Sequence, residues 1–287
     1  MTAPNIQSFF DPVTNSVTHL VSDPVSKRAA IIDSVLDYNP RSGRTATTLA
    51  DAVIDEVRRA ALTVDWILET HAHADHLSAA MYLKGKLGGR IGIGREICTV
   101  QKTFKSLFNL KDLDTQGADF DVLFDDGESF AIGDVAVRVM HTPGHTPACL
   151  SYLMGDDVFV GDTLFMPDYG TARCDFPGGN AATLFASIRK VLALPEPTRL
   201  HLCHDYPPAA RKTPAWVCTV AEQRAGNIHV HDGVGEDDFV NRRNARDKTL
   251  DMPLLILPAI QVNLRAGKLP PCEDNGVSYL KIPLNLF

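Results

Sequence analysis

Three imidazoles and one carboxylate fall within the six residues His71-Ala72-His73-Ala74-Asp75-His76. Neutral imidazole and carboxylate suit borderline divalent metals such as zinc and ferrous iron, and a loop can aim closely spaced donors at two neighbouring ions. Histidines that merely cap turns do not explain such density. Three further residues of ligand type, His145, Asp162 and His204, each stand at or just past the end of a strand-like run. Open sheets bind ligands along that edge, so the separated residues strengthen the reading of the cluster as a metal centre.

Such convergence demands strands that end together. Ser16-Val-Thr-His-Leu-Val-Ser22 and Arg28-Ala-Ala-Ile-Ile-Asp33 read as strands bounded by turn-forming residues. From Thr47, Leu49, Val53, Val57 and Ala60 recur at helical spacing, with charged residues on the other face. Residues 64–70 form a buried-strand pattern that delivers the chain straight into the histidine cluster. A second helix is expected from near His76 to the Gly88-Gly89 stop, followed by a strand over 90–94. In the second half, residues 135–140 alternate as a strand and lead into the turn His141-Thr-Pro-Gly-His145. Strands are expected over 149–154 and 157–162. Asn180 is placed to cap a helix with Leu184, Ile188, Val191 and Leu192 on its apolar side, and a short strand over 199–203 ends at His204. The loose recurrence of strand, helix and strand, with no sequence repeat, predicts layers of sheet and helix. Beyond about Gly226 the chain turns charged and proline-rich and reads as a helical appendage with an ordered tail.

The bulk composition narrows the function. A chain of 287 residues, 45% hydrophobic and 22% charged, has the balance of a soluble globular protein with a sizeable core. A formal net charge of -7 argues against nucleic acid as a partner, because phosphate binding relies on clustered Lys and Arg. No apolar stretch approaches the roughly 20 residues of a membrane-spanning helix, and residues 1–10 lack the pattern of a signal peptide. The expectation is a cytoplasmic protein. Its cysteines, Cys98, Cys149, Cys174, Cys203, Cys218 and Cys272, are scattered without a CxxC pair and are expected to be buried thiols.

The HxHxDH segment, the Pro143-Gly-His-Thr146 turn, the Gly161-Asp-Thr-Leu-Phe165 segment and His204-Asp-Tyr206 together resemble the metallo-β-lactamase superfamily over residues 16–206. That resemblance implies an α/β fold of αββα type, two sheets enclosed by helices, over residues 1–225, with residues 226–287 a C-terminal helical extension and tail packed on the same domain. It implies site-one ligands His71, His73 and His145 and site-two ligands Asp75, His76 and His204, with Asp162 able to bridge. Within the superfamily, Gly170-Thr-Ala-Arg-Cys-Asp-Phe176, His204-Asp-Tyr206 with Thr219-Val-Ala-Glu222, and the tail segments 246–250 and 257–267 are similar to bacterial persulfide dioxygenases. The glutathione-holding basic pattern at the C-terminus of glyoxalase II is lacking. This branch implies one Fe(II) per chain held by His71, His145 and Asp162, a two-histidine, one-carboxylate set that leaves positions open for oxygen chemistry. His73, Asp75, His76 and His204 then orient ligands or form a second metal site. The substrates would be glutathione persulfide and O2, the products sulfite and the free thiol, and the assembly a homodimer. The alternative is a thioesterase resembling glyoxalase II, with two Zn(II) per chain and a bridging hydroxide as nucleophile. A non-catalytic metal-binding protein of the same fold is the third reading.

Arg173 on the loop after Asp162 offers a guanidinium to a glutathione carboxylate, or equally to Asp175. Tyr206 and Arg211 are further substrate-side candidates, although a surface loop also accounts for them. Asp33 ends a strand on the same rim and is placed to orient a ligand histidine. Cys174 has no paired base and reads as structural. His229-Val-His231 reads as a surface strand, and Arg242, Arg243 and Arg246, interleaved with Asp237, Asp238 and Asp247, as a solvated helix face.

Overall fold

The computed structural model describes residues 3–286. Its first sheet orders β1 (Asn5–Asp11), β2 (Ser16–Ser22), β3 (Arg28–Ile32), β6 (Thr63–Leu68), β8 (Arg90–Gly94) and β9 (Val122–Phe124). Pairing is antiparallel from β1 to β3 and parallel from β3 to β9. A second sheet orders β10 (Ser129–Ile132), β11 (Val135–His141), β12 (Leu150–Met154), β13 (Asp157–Phe159), β14 (Arg199–His201) and β15 (Val217–Thr219). Between β3 and β8 the chain also forms a small third sheet from β4 (Val35–Asn39), β5 (Arg44–Ala46) and β7 (Leu77–Ser78).

The layering follows from the two-residue period of the strands. In β3, Ala29 and Ile31 face one apolar cluster while Ala30 and Ile32 face another, and in β6 Ile67 and Leu68 part in the same way. Parallel strands buried on both faces read as continuous hydrophobic runs, which is what residues 64–68 show. Ile32, Leu68, Val137, Tyr152 and Phe159 fill the space between the sheets. On the outer face of the first sheet lie α1 (Thr48–Arg59), α2 (Ala80–Leu87), α3 (Ile97–Leu107) and α7 (Ile256–Asn263); on that of the second lie α4 (Ala181–Leu192), α5 (Val220–Gly226) and α6 (Glu236–Asp247). The fold is a mixed α/β sandwich of helix, sheet, sheet and helix, as expected.

Three local expectations change. The second helix starts at Ala80 rather than near His76, because Leu77 and Ser78 pair with Val35 and Leu36 as β7. His229 lies in a turn, buried against Gly170, and accepts the Thr171 N–H at 3.1 Å, so it is no surface strand. Arg243 is buried, forked onto Asp247 at 2.6 Å, and therefore does not belong to a solvated face. Asn180 caps α4 as predicted, its side chain accepting the Thr183 N–H at 2.9 Å. Among the described residues no helix is long and apolar enough to cross a membrane.

Candidate metal centre

Each donor arrives at the end of an element. β6 stops at Leu68, and Glu69 and Thr70 carry the chain out of the sheet into His71, His73, Asp75 and His76. Asp33 governs that exit. It stands just past β3 in left-handed backbone (φ 52°), a conformation Asp tolerates better than most residues. Its carboxylate accepts the Thr70 N–H at 2.7 Å and the Thr70 hydroxyl at 2.9 Å. β11 runs into the turn holding His145, where Gly144 has φ 133° and a Cβ would meet the Leu184 backbone nitrogen at 2.3 Å. Gly161 (φ 52°) likewise has no room for a Cβ, which would fall 2.6 Å from Thr70 Oγ1. These glycines let the turns bearing His145 and Asp162 close on the histidine loop. His204 follows β14 and is tied across to the first sheet by a bridge with Ser16.

The seven residues come together in overlapping groups whose donor atoms lie within 4.8 Å of one another: His71, His145 and Asp162; His73, Asp75, His76 and His204; Asp162, Cys203 and His204; and Asp33, Glu69 and His73. Asp162 joins them. Its Oδ2 stands 3.9 Å from His71 Nε2 and 3.6 Å from His145 Nε2, while Oδ1 is 3.4 Å from His204 Nε2. On the other side, His204 Nε2 lies 3.1 Å from Asp75 Oδ2.

The nitrogens themselves test whether a metal fits. His71 Nε2, His73 Nδ1, His76 Nε2 and His204 Nε2 are buried with no hydrogen-bond partner, a costly state for imidazole nitrogen unless another acceptor of its lone pair is present. The opposite ring nitrogens are all engaged. His73 Nε2 donates to Asp33 at 3.0 Å, His145 Nδ1 to the Arg173 carbonyl at 2.8 Å and His204 Nδ1 to the Asn15 carbonyl at 3.3 Å. His71 Nδ1 meets Thr70 Oγ1 at 3.0 Å, and His76 Nδ1 meets Ser16 Oγ at 3.1 Å. One nitrogen held by the protein and one left facing the centre is how metal-ligating histidines are built. The clusters fit divalent metal.

Electrostatics separate the imidazoles. Burial, with His73 and His145 adding to it, holds His71 well below the ordinary histidine range, and burial and His73 lower His76. Burial also works against charge on His73, but the Asp33 and Glu69 carboxylates at 3.0 and 3.3 Å from its Nε2 win and raise it well above that range. A neutral His71 keeps a lone pair free for metal at neutral pH.

Beside the donors opens a cavity of about 380 Å³, lined by Asp75, His145, Asp162, Tyr206, Arg173 and Arg246 among others. Tyr206 stacks on His204 with ring centroids 5.5 Å apart. Arg173 pairs with Asp175 at 2.6 Å and donates to the Asp251 carbonyl at 2.7 Å. Arg211 departs from its expected place: it forks onto Asp205 at 2.6 Å and Asp168 at 2.7 Å and is absent from the cavity lining. Burial, with Asp247 adding to it, pushes the Cys174 thiol up to about 12, so it is no ready nucleophile.

Residues the sequence pointed to less directly complete the centre. Asn263, at the end of α7, donates to the carbonyls of His73 (2.7 Å) and His76 (2.8 Å) and accepts the Ser78 N–H at 2.8 Å. Nothing in a tail 187 residues distant in sequence from His76 signals that role. The Cys203 thiol donates to Asp162 Oδ1 at 2.7 Å; its one signal was its place beside His204. Arg246 faces the cavity with no carboxylate in ion-pairing distance among the described residues.

Residues 13–204 match the metallo-beta-lactamase superfamily. A probable metallo-hydrolase of Burkholderia pseudomallei is 55% identical over 98% of this chain and 99% of its own length, and glyoxylase B2 of Dictyostelium discoideum is 54% identical over 93% and 92%. The human mitochondrial persulfide dioxygenase ETHE1 is 28% identical over 93% of this chain and 90% of its own. Among solved structures, ETHE1 from Myxococcus xanthus superposes with a TM-score of 0.74 at 27% identity, covering 92% of this chain and all (100%) of that one.

Proposed function

The chain belongs to the metallo-beta-lactamase superfamily, and from that premise we propose that it is a persulfide dioxygenase, converting glutathione persulfide, O2 and water to glutathione, sulfite and protons at one Fe(II). The observation that carries this reading is one of the donor groups. His71, His145 and Asp162 form a buried group of two imidazoles and a carboxylate, the set that leaves ferrous iron open positions for two further partners. Iron bound there would supply the electron transfer between persulfide sulfur and dioxygen.

The chain's own residues supply the rest. Asp162 presents Oδ2 to His71 and His145, and the Thr70 hydroxyl and the Arg173 carbonyl fix the two rings from behind. Rings fixed in this way lose little freedom when substrate enters. Arg246 and Arg173 line the cavity, where a guanidinium matches the carboxylates of a tripeptide thiol. Phe165, Tyr169 and Tyr206 pack at centroid distances of 5.0 to 5.7 Å beside His204. This aromatic wall keeps water from one side of the cavity.

A second reading, a two-zinc thioesterase, is favoured by the other four donors. His73 Nδ1, His76 Nε2 and His204 Nε2 are also orphaned beside Asp75, and two relatives carry hydrolase or glyoxylase names. Metal analysis of anaerobically prepared protein, with oxygen-electrode assays on glutathione persulfide and hydrolysis assays on lactoylglutathione, decides between them. About one iron per chain with persulfide-dependent oxygen uptake is expected. Two zincs per chain with thioester hydrolysis and no oxygen uptake would sink the dioxygenase.

A further inference from the structure

We infer that Asp247, held by Arg243, is a positioning residue for His145 and acts on that ring through the one peptide unit joining Arg173 to Cys174. The inference rests on His145 as a metal ligand, which both readings above require, and not on the choice between iron and zinc. Residues 171–174 lie in no helix or strand, and side chains hold their backbone. His229 Nδ1 accepts the Thr171 N–H at 3.1 Å, and Arg243 Nη1 donates to the Thr171 carbonyl at 3.2 Å. Asp247 Oδ2 accepts the Cys174 N–H at 2.8 Å, and the Arg173 carbonyl accepts from His145 Nδ1 at 2.8 Å.

The last two bonds meet on opposite sides of one peptide, since the Arg173 carbonyl and the Cys174 N–H share a single rigid plane. Fixing the N–H therefore aims the carbonyl. A carboxylate on the N–H also polarises the amide and makes its oxygen a stronger acceptor, as happens along chains of hydrogen bonds. A carbonyl cannot donate, so the ring's proton stays on Nδ1, and Nε2, 3.6 Å from Asp162 Oδ2, keeps its lone pair.

Helix stability does not account for the pair. Arg243 and Asp247 are 3% and 6% exposed, and a buried ion pair is often no more stabilising than apolar residues of the same bulk. Arginine precedes aspartate, the poorer order for an i,i+4 pair, and an acid at the end of α6 opposes the helix dipole. What the pair does satisfy is the segment: Arg243 forks onto Oδ1 at 2.9 and 2.6 Å, which leaves Oδ2 for the Cys174 N–H.

The test reads the ring itself. In the zinc-loaded full chain, proton NMR identifies the His145 Nδ1–H as the downfield resonance lost in His145→Ala. Asp247→Asn and Asp247→Ala, of which either one folded suffices, are expected to move that resonance upfield, speed its exchange with water and weaken zinc affinity by about 10-fold. Phe185→Leu, which loosens α6 on α4 through the Phe239 contact, is expected to lower the melting temperature and leave resonance and affinity unchanged. An unchanged resonance in a folded Asp247 variant overturns the inference and leaves His145 a ligand. A Phe185→Leu variant that moves it as far also overturns the inference, because the packing of α6 alone would then suffice. Zinc bound as tightly by His145→Ala as by wild type removes the ligand role, and the inference with it.

Discussion

His71 and His73 stand one residue apart in the loop, yet their surroundings assign them different work. His71 shares its group with His145 and Asp162, is held neutral by burial, and faces the centre with Nε2 while Thr70 engages its other nitrogen. His73 is clamped through Nε2 by Asp33 and Glu69 and turns Nδ1 toward the group of Asp75, His76 and His204. Removing a first ligand abolishes a site, whereas removing a supporting group weakens it by about 10- to 100-fold. His71→Ala is therefore expected to lose stoichiometric iron, and His73→Ala to keep iron at weakened affinity, as read by iron content after anaerobic gel filtration. Equal loss in both variants would contradict the one-iron centre. The alternation His-x-His was visible in the sequence, but the carboxylates that distinguish the two rings come from residues 33 and 69.

At the scale of elements, α7 does more than cover the first sheet. Its apolar residues Ile256, Ala259 and Ile260 join the cluster beneath α1 and α2, and that packing brings Asn263 against the metal loop. The side chain satisfies the carbonyls of His73 and His76 in the metal loop and the N–H of Ser78, where that loop passes into β7. Asn263→Ala leaves those buried groups unpaired at about 1–3 kcal/mol each before relaxation, and frees the loop that spaces His73 and His76. We expect a lower melting temperature together with metal affinity weakened by about 10-fold or more, measured by competition with a chelator. A lowered melting temperature with unchanged affinity would show α7 to be structural only. The tail's helix was legible as ordered chain, but its contact was not, because a single asparagine carries no pattern.

Across the whole molecule, the cavity is assembled from parts far apart in the chain. Asp75 belongs to the first half, His145 and Asp162 to the second, and Arg243 and Arg246 to α6. Helix spacing and interleaved acids made the face of α6 that carries Arg242, Arg243 and Arg246 look solvated, since periodicity cannot say which face meets a pocket. In the fold, α6 packs on α4 through Phe239 and Phe185, 5.5 Å apart, and turns the Arg243 and Arg246 side toward the donors. Arg243 is already paired with Asp247, so Arg246 is the cation free to meet an anionic thiol. Arg246→Ala is expected to raise KM for glutathione persulfide about 10-fold with kcat little changed, the pattern of an interaction made equally in the ground and transition states. Arg246→Glu should raise it further. An unchanged KM would remove Arg246 from the substrate site.

The donor set was determined by residue types alone. HxHxDH after a buried strand, with His145, Asp162 and His204 at later strand ends, needs no coordinates to be read as a metal centre, because imidazole and carboxylate chemistry is local and strand ends are marked by pattern. The layered fold was legible for the same reason, since strand and helix periods are written in consecutive residues. Only the tertiary structure decided how close the seven donors come to one another, which nitrogen of each ring is free, and that Asp33, Asn263, Cys203 and Arg246 stand around them. Those are contacts between residues tens to nearly two hundred positions apart, made by packing faces whose partners no local pattern names.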